Sequence, residues 1–153
     1  MTDHLEGGPV LNHVAISVDA GVLDDDGRAS LIRFFEAVFG WTEGDNSTEV
    51  GNPLIIYTGQ LRQYLYFLPA TGEFLRAPHL DHIGVEVASV AELRAILERA
   101  RAFRGRDDRV TLIEEDEMVT HGTDTDFVLT HAYVGFLLPL LIELQHLEAR
   151  PAA

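Results

Sequence analysis

The sequence predicts an α+β fold of two βαβββ modules, joined as a curved mixed sheet around a cleft, and three observations lead to it. A short phrase recurs with histidine in the same slot: Leu11-Asn12-His13-Val14-Ala15-Ile16-Ser17-Val18 and later Leu80-Asp81-His82-Ile83-Gly84-Val85-Glu86-Val87. Each copy alternates its residues with the period of a strand and is followed by a segment with helical period. Strand-like segments then follow each helix. The 153-residue chain reads as one domain with a first module over 10–69 and a second over 79–147. Ala70 to Pro78, with Thr71-Gly72 and Pro78, is the expected linker.

In the first strand Val14, Ile16 and Val18 share one face and His13, Ala15 and Ser17 the other. In the first strand of the second half, Ile83, Val85 and Val87 oppose His82, Gly84 and Glu86. The first helix carries Leu31, Phe34, Phe35, Val38 and Phe39 at i, i+3, i+4, i+7 and i+8, and Gly40 is placed to end it. The second opens on Ser89 and Glu92 as a capping box, with Val90, Leu93, Ile96 and Leu97 on its apolar side. Strands are expected at Glu49 to Val50, Leu54 to Thr58 and Gln63 to Leu68, then at Val110 to Glu114, Phe127 to Leu137 and Leu140 to Gln145. Asp24-Asp25-Asp26-Gly27 lacks the ligand spacing of an EF-hand and reads as a solvated loop. Glu114 to Glu117 reads as a solvated strand end, and Ala149 to Ala153 as a frayed tail.

Composition narrows the chemistry. The absence of cysteine removes disulfides and thiolate metal sites, so a metal here would be held by His, Asp, Glu or water. A formal charge of -14 disfavours nucleic acid. The most apolar stretch, Phe136 to Leu144, is too short for a membrane span, and a cytoplasmic protein without membrane attachment is expected.

If each helix covers the Val/Ile face of its sheet, His13 and His82 lie on the opposite, cleft-lining face, and Ala15 and Gly84 leave room beside them. The last strand places Leu141, Glu143 and Gln145 together. A carboxylate within Leu140-Leu141-Ile142-Glu143-Leu144 is costly to bury unless something pairs with it, and a cation between the histidines would do so. His4, His79, His121 and His146 read as structural or solvated.

With its Leu-Asx-His phrase heading each half and Ile142-Glu143-Leu144 in the last strand, the chain resembles the vicinal oxygen chelate superfamily, which includes glyoxalase I, methylmalonyl-CoA epimerase, extradiol dioxygenases and the fosfomycin and bleomycin resistance proteins. The resemblance implies a glyoxalase-like fold and one divalent metal ion per chain (Fe, Mn, Zn, Ni or Co) held by His13, His82 and Glu143. It implies an enzyme, a lyase, isomerase or ring-cleavage dioxygenase, acting on a small oxygenated metabolite chelated to the metal. The glyoxalase-like and epimerase-like branches add a Glu or Gln from the last strand of the first half. Here Gln63, Tyr64, Leu65 and Tyr66 all remain open for that slot. His131, Tyr133 and Tyr66, with Tyr64 beside it, are the candidate catalytic proton donors and acceptors. A homodimer is expected because two half-sheets around one cleft leave strand edges for a second copy to cover. The rival reading is a metal-free protein resembling bleomycin resistance proteins that sequesters a cationic drug.

Overall fold

A computed structural model describes residues 11–45, 51–59 and 63–152. Two copies of a βαβββ unit are present. The first comprises β1 (His13–Asp19), α1 (Asp25–Phe39), β2 (Thr42–Glu43), β3 (Leu54–Tyr57) and β4 (Tyr64–Ala70). The second comprises β5 (His82–Glu86), α2 (Val90–Arg104), β6 (Val110–Thr120), β7 (Thr125–Phe136) and β8 (Leu141–Pro151). The sheets are separate and mixed, ordered β1-β4-β3-β2 and β5-β8-β7-β6. The first strand of each unit runs parallel to the last, and the remaining pairings are antiparallel.

Both helices start and stop where local chemistry dictates. Asp24 caps α1 by accepting the Gly27 N–H at 2.8 Å, so the acidic run is a helix N-terminus rather than a loop, with Asp25 and Asp26 favourably placed in the first turn. Gly40, at φ 72°, closes α1 in the left-handed conformation that glycine adopts without strain. At α2 the Ser89 hydroxyl accepts the Glu92 N–H at 3.1 Å, while the Glu92 carboxylate reaches back to the Ala88 N–H at 2.9 Å. Gly27 is required sterically: a Cβ there would stand 2.1 Å from the Val22 carbonyl oxygen. Gly27→Ala is therefore expected to cost about 1–3 kcal/mol by overpacking, despite the higher helix propensity of alanine. Urea unfolding checks this, and a change within about 0.5 kcal/mol would contradict it.

The second strand of the first unit forms at Thr42–Glu43, immediately after α1; the expected Glu49 to Val50 strand falls outside the described residues. Trp41 stacks on Phe35 and Phe39 and carries the chain back to the sheet, where the Gly44 N–H bonds the Ile55 carbonyl at 2.8 Å. The strands of the second unit outrun the sequence expectation. β6 continues through Glu114-Glu115-Asp116-Glu117 to Thr120, because Arg94 and Arg101 of α2 pair with Glu115 and Glu114, with a register shift between Ile113 and Asp116. The expected frayed tail instead extends β8 to Pro151, paired with Thr125.

The Val/Ile faces turn into the core, where Ile16, Val18 and Leu144 are buried in one cluster with the apolar residues of α1 and α2. The units then meet helix to helix. Phe34 of α1 packs edge-on to Phe103 of α2 and stacks at 4.7 Å on Phe136 of β7, and Arg99 of α2 donates to the Val38 carbonyl at 2.8 Å. Arg28, 4% exposed, donates from Nε to the Leu23 carbonyl at 2.8 Å and from its guanidinium to the Asn52 carbonyl. Burial lowers its pKa, opposed by Glu43 and Asp25. No helix among the described residues is long and apolar enough to cross a membrane.

Candidate metal and catalytic site

Cross-strand register places Tyr133 opposite Glu143 and His131 opposite Gln145, while Gly84 and Glu86 of β5 lie beside Glu143 and Gln145. These side chains share the face away from α2. Glu143 is only 3% exposed yet fully satisfied. His131 donates from Nδ1 to its Oε1 at 3.0 Å, the Gln145 amide donates to Oε2, and the Tyr133 hydroxyl donates as well. His82 Nε2 completes the set, 3.0 Å from Oε2.

Burial alone would raise the Glu143 pKa. Hydrogen bonds from Tyr133, Gln145 and His131, together with the charge of His82, outweigh it and hold the carboxyl below its ordinary range. The Tyr133 phenol is raised, first by burial and then by its bond to Glu143, so it is a neutral donor. The sign of linkage follows: a depressed carboxylate contributes stability that is complete above the unfolded value, about 4.3, and is lost as pH falls through the folded value. In metal-free protein the stability advantage of wild type over Glu143→Gln is expected to be full at neutral pH and to shrink below about pH 4.3. Urea titrations from pH 7 to pH 3 check this, and a gap that does not vary with pH would refute it.

His82 carries the most specific geometry. Its Nδ1 lies 2.7 Å from the Leu80 carbonyl, which can only accept, so Nδ1 holds the proton. In the neutral ring Nε2 then presents a lone pair to a carboxylate oxygen. That contact is favourable only with a positive charge between the two atoms, a second proton or a metal ion. The backbone-tied Nδ1 is the outer-shell arrangement that orients metal-ligating histidines. The two donor atoms stand 3.0 Å apart, close enough for one cation, a proton or a metal ion, to be shared between them. Gly84 leaves room there, since even a Cβ would be only in ordinary contact with Glu143 at 3.6 Å. The donors present therefore fit a divalent ion at His82 and Glu143.

His13 lies elsewhere. Its ring stacks on Tyr64 at 4.8 Å and its Nδ1 contacts the Asn12 side chain at 2.8 Å. Among the described residues no group of three or more His, Asp or Glu is assembled to hold a metal within one chain. A cavity of about 560 Å³ lies between β1 and β5 and is lined by His13, Tyr64, Trp41, Ile83 and Glu86 but not by Glu143. Register shows which first-module position is equivalent to Glu143. His13 pairs with Tyr64 and Ala15 with Tyr66, as His82 pairs with Leu141 and Gly84 with Glu143, so Tyr66 is the first-module counterpart of Glu143. Gln63 precedes β4 and donates to the Leu11 carbonyl at 3.1 Å. Of the expected site residues, His82, Glu143, His131 and Tyr133 converge, whereas His13 and Tyr66 occupy the other sheet. The sequence marks Gln145 only by its i+2 spacing from Glu143 on one strand face, and the structure makes it a donor to that carboxylate. His121 pairs with Asp126 and His146 contacts the Val87 carbonyl, both structural, and His4 lies outside the described residues.

This two-module architecture is the glyoxalase-like fold, which several solved structures share. A variant of the fosfomycin resistance protein FosX from Listeria monocytogenes, in complex with Mn(II) and 1S,2S-dihydroxypropylphosphonic acid, matches with TM-score 0.57 at 17% identity over 88% of this chain and 87% of that one. A virulence protein from Salmonella typhimurium matches with TM-score 0.56 at 14% identity over 90% and 96%. Lactoylglutathione lyase from Agrobacterium tumefaciens matches with TM-score 0.51 at 15% identity over 92% and 95%. No family model and no curated protein sequence matches the chain.

Proposed function

We propose that this chain is a divalent-metal-dependent enzyme acting on a small oxygenated metabolite bound through adjacent oxygens, and that two copies build each site. The single observation that carries the reading is the His82 Nε2 to Glu143 Oε2 pair, 3.0 Å apart, with the imidazole oriented by the Leu80 carbonyl. His82 and Glu143 of one copy would hold the ion with His13 of a second. β1 and β5 each have one strand neighbour in their sheets, so both offer a free edge for that copy. The ion, when bound, supplies Lewis-acid stabilisation of negative charge developing on a substrate oxygen.

The chain's own residues supply the rest. With Nδ1 held by Glu143, His131 has Nε2 as the ring nitrogen left to exchange a proton with substrate. Tyr133, neutral and donating to Glu143, fixes the carboxylate, and Tyr66, on the face that carries His13, is a candidate proton donor. The reaction is a lyase, isomerase or dioxygenase step; nitrogen and oxygen donors alone do not choose among Fe, Mn, Zn, Ni and Co. The strand residues on the site faces include no arginine among those described, and the chain has no lysine. A phosphonate dianion like that bound by FosX is therefore disfavoured as substrate.

One observation favours a metal-free binding protein instead: Glu143 already has four protein partners, enough to satisfy a carboxylate. Elemental analysis of protein purified without chelator separates the readings. About one divalent ion per chain is expected, by analogy with single-ion catalytic sites. Trace metal, with no uptake of added Mn, Zn, Ni, Fe or Co, would leave the sequestering protein.

A further inference from the structure

The cavity between β1 and β5 stands apart from Glu143 and has its own chemistry. Consecutive residues line it, Ile83 to Val87 on the β5 side and Leu11 to Val14 on the β1 side. Side chains on a strand alternate between faces, so a lining of consecutive residues reaches both faces of the sheet. Buried Val87, Ile96 and Leu144 form its core-side wall, while Glu86 lies on the face that carries His82. Glu86 is exposed and has no hydrogen-bond or ion-pair partner among the described residues. Glu92 adds a second carboxylate, bound to the Ala88 N–H. The described lining residues include no arginine, and the chain has no lysine. Phe39 and Trp41, stacked at 4.7 Å, line the cavity with Tyr64. Aromatic faces attract cations, that of tryptophan most strongly.

We propose that this cavity binds a small organic monocation, an amine whose ammonium head meets Glu86 and whose apolar body lies against Val85, Ile96, Phe39 and Trp41. The volume of about 560 Å³ falls within the ~300–1,000 Å³ of small-molecule pockets. Carboxylates without a cationic partner, set beside buried aliphatic and aromatic side chains, are complementary to one positive charge on an apolar body. An anion would be repelled, and a neutral molecule would displace water from Glu86 without replacing its interactions. A second copy of the chain carries the same net charge of -14 and is a poor electrostatic match for this lining. The inference uses neither His82 nor Glu143 and does not rest on the metal reading.

Trp41 is the one tryptophan of the chain, so its emission reports on the cavity directly. The test titrates full-length protein at about pH 8 with 4-phenylbutylamine, which is charged there, and with the neutral 4-phenylbutanol. A saturable change in Trp41 emission is expected with the amine, and affinity for the alcohol at least tenfold weaker. Glu86→Gln should bring the amine down to the affinity of the alcohol and leave the alcohol unchanged. Glu98→Gln, which removes an exposed carboxylate paired with Arg101 outside the cavity, should leave both unchanged. Absence of a saturable response to the amine, equal affinity for amine and alcohol, or unchanged amine binding in Glu86→Gln would overturn the inference. Equal weakening by Glu98→Gln would also overturn it, assigning the attraction to the overall negative charge. Amine binding by a monomer but not by a dimer, resolved by sedimentation, would overturn it in favour of a second copy as occupant.

Discussion

Phe34→Ala is expected to lower the unfolding free energy by about 3–5 kcal/mol, the range for emptying a fully buried aromatic site. Phe34 is 1% exposed and stands where the two modules meet, against Phe35 and Phe39 of its own helix and Phe103 and Phe136 of the other unit. No small rotation of one neighbour refills a space bounded by rings from two modules, so a cavity should persist. For a chain of this length the midpoint should fall by roughly 10 °C. The exposed Phe127→Ala, by contrast, should cost less than about 1 kcal/mol. Thermal and urea unfolding of both variants check this; a Phe34→Ala loss under about 1 kcal/mol would mean that the modules do not depend on the ring contacts between α1 and α2.

Much of this architecture is legible in the residues because it rests on local periodicity. The repeated strand, the i, i+3, i+4 stripes of both helices, Gly40 as a stop and the Ser89–Glu92 cap are each fixed by side chains within a few positions of one another. The misjudged ends of β6 and β8 depend on distant partners. Glu115 to Glu117 look like a solvated end until Arg94 is known to face Glu115, and the tail from Ala149 looks frayed until β7 is known to reach Thr125. The site divides in the same way. Alternation alone places His82 and Glu143 on one face, and the apolar setting of Glu143 marks a carboxylate needing partners. Sequence does not reveal that Gln145 supplies one of them. Nor does it separate His13 from the others, since the repeat implies equivalent positions without saying which sheets face each other.

That separation makes the sharpest functional prediction. Glu143→Gln retains the shape but replaces an anionic donor by a neutral one, and affinity for Mn(II) should fall at least a hundredfold, beyond the 10–100-fold typical of outer-shell changes. His13→Ala should lower it similarly, although His13 packs against Asn12 and Tyr64 while His82 and Glu143 pair on the other sheet. If two copies build each site, one protomer of each variant restores one intact site per mixed dimer: the Glu143→Gln chain provides an unaltered His13, and the His13→Ala chain an unaltered His82 and Glu143. Mixing the two proteins after partial unfolding and refolding should therefore recover tight Mn(II) binding that neither shows alone. With subunits paired at random, about half the dimers are mixed, each with one of its two sites whole, so recovery near a quarter of the wild-type stoichiometry is expected. Recovery requires an exchange of site residues between copies, because within a single chain each variant lacks a ligand that no neighbour can supply. Tight binding by His13→Ala alone would show that His82, Glu143 and a third donor from their own sheet suffice. If both variants bind weakly and mixing restores nothing, the donors act within one chain after a rearrangement that brings β1 to β5, and the two-copy site is wrong.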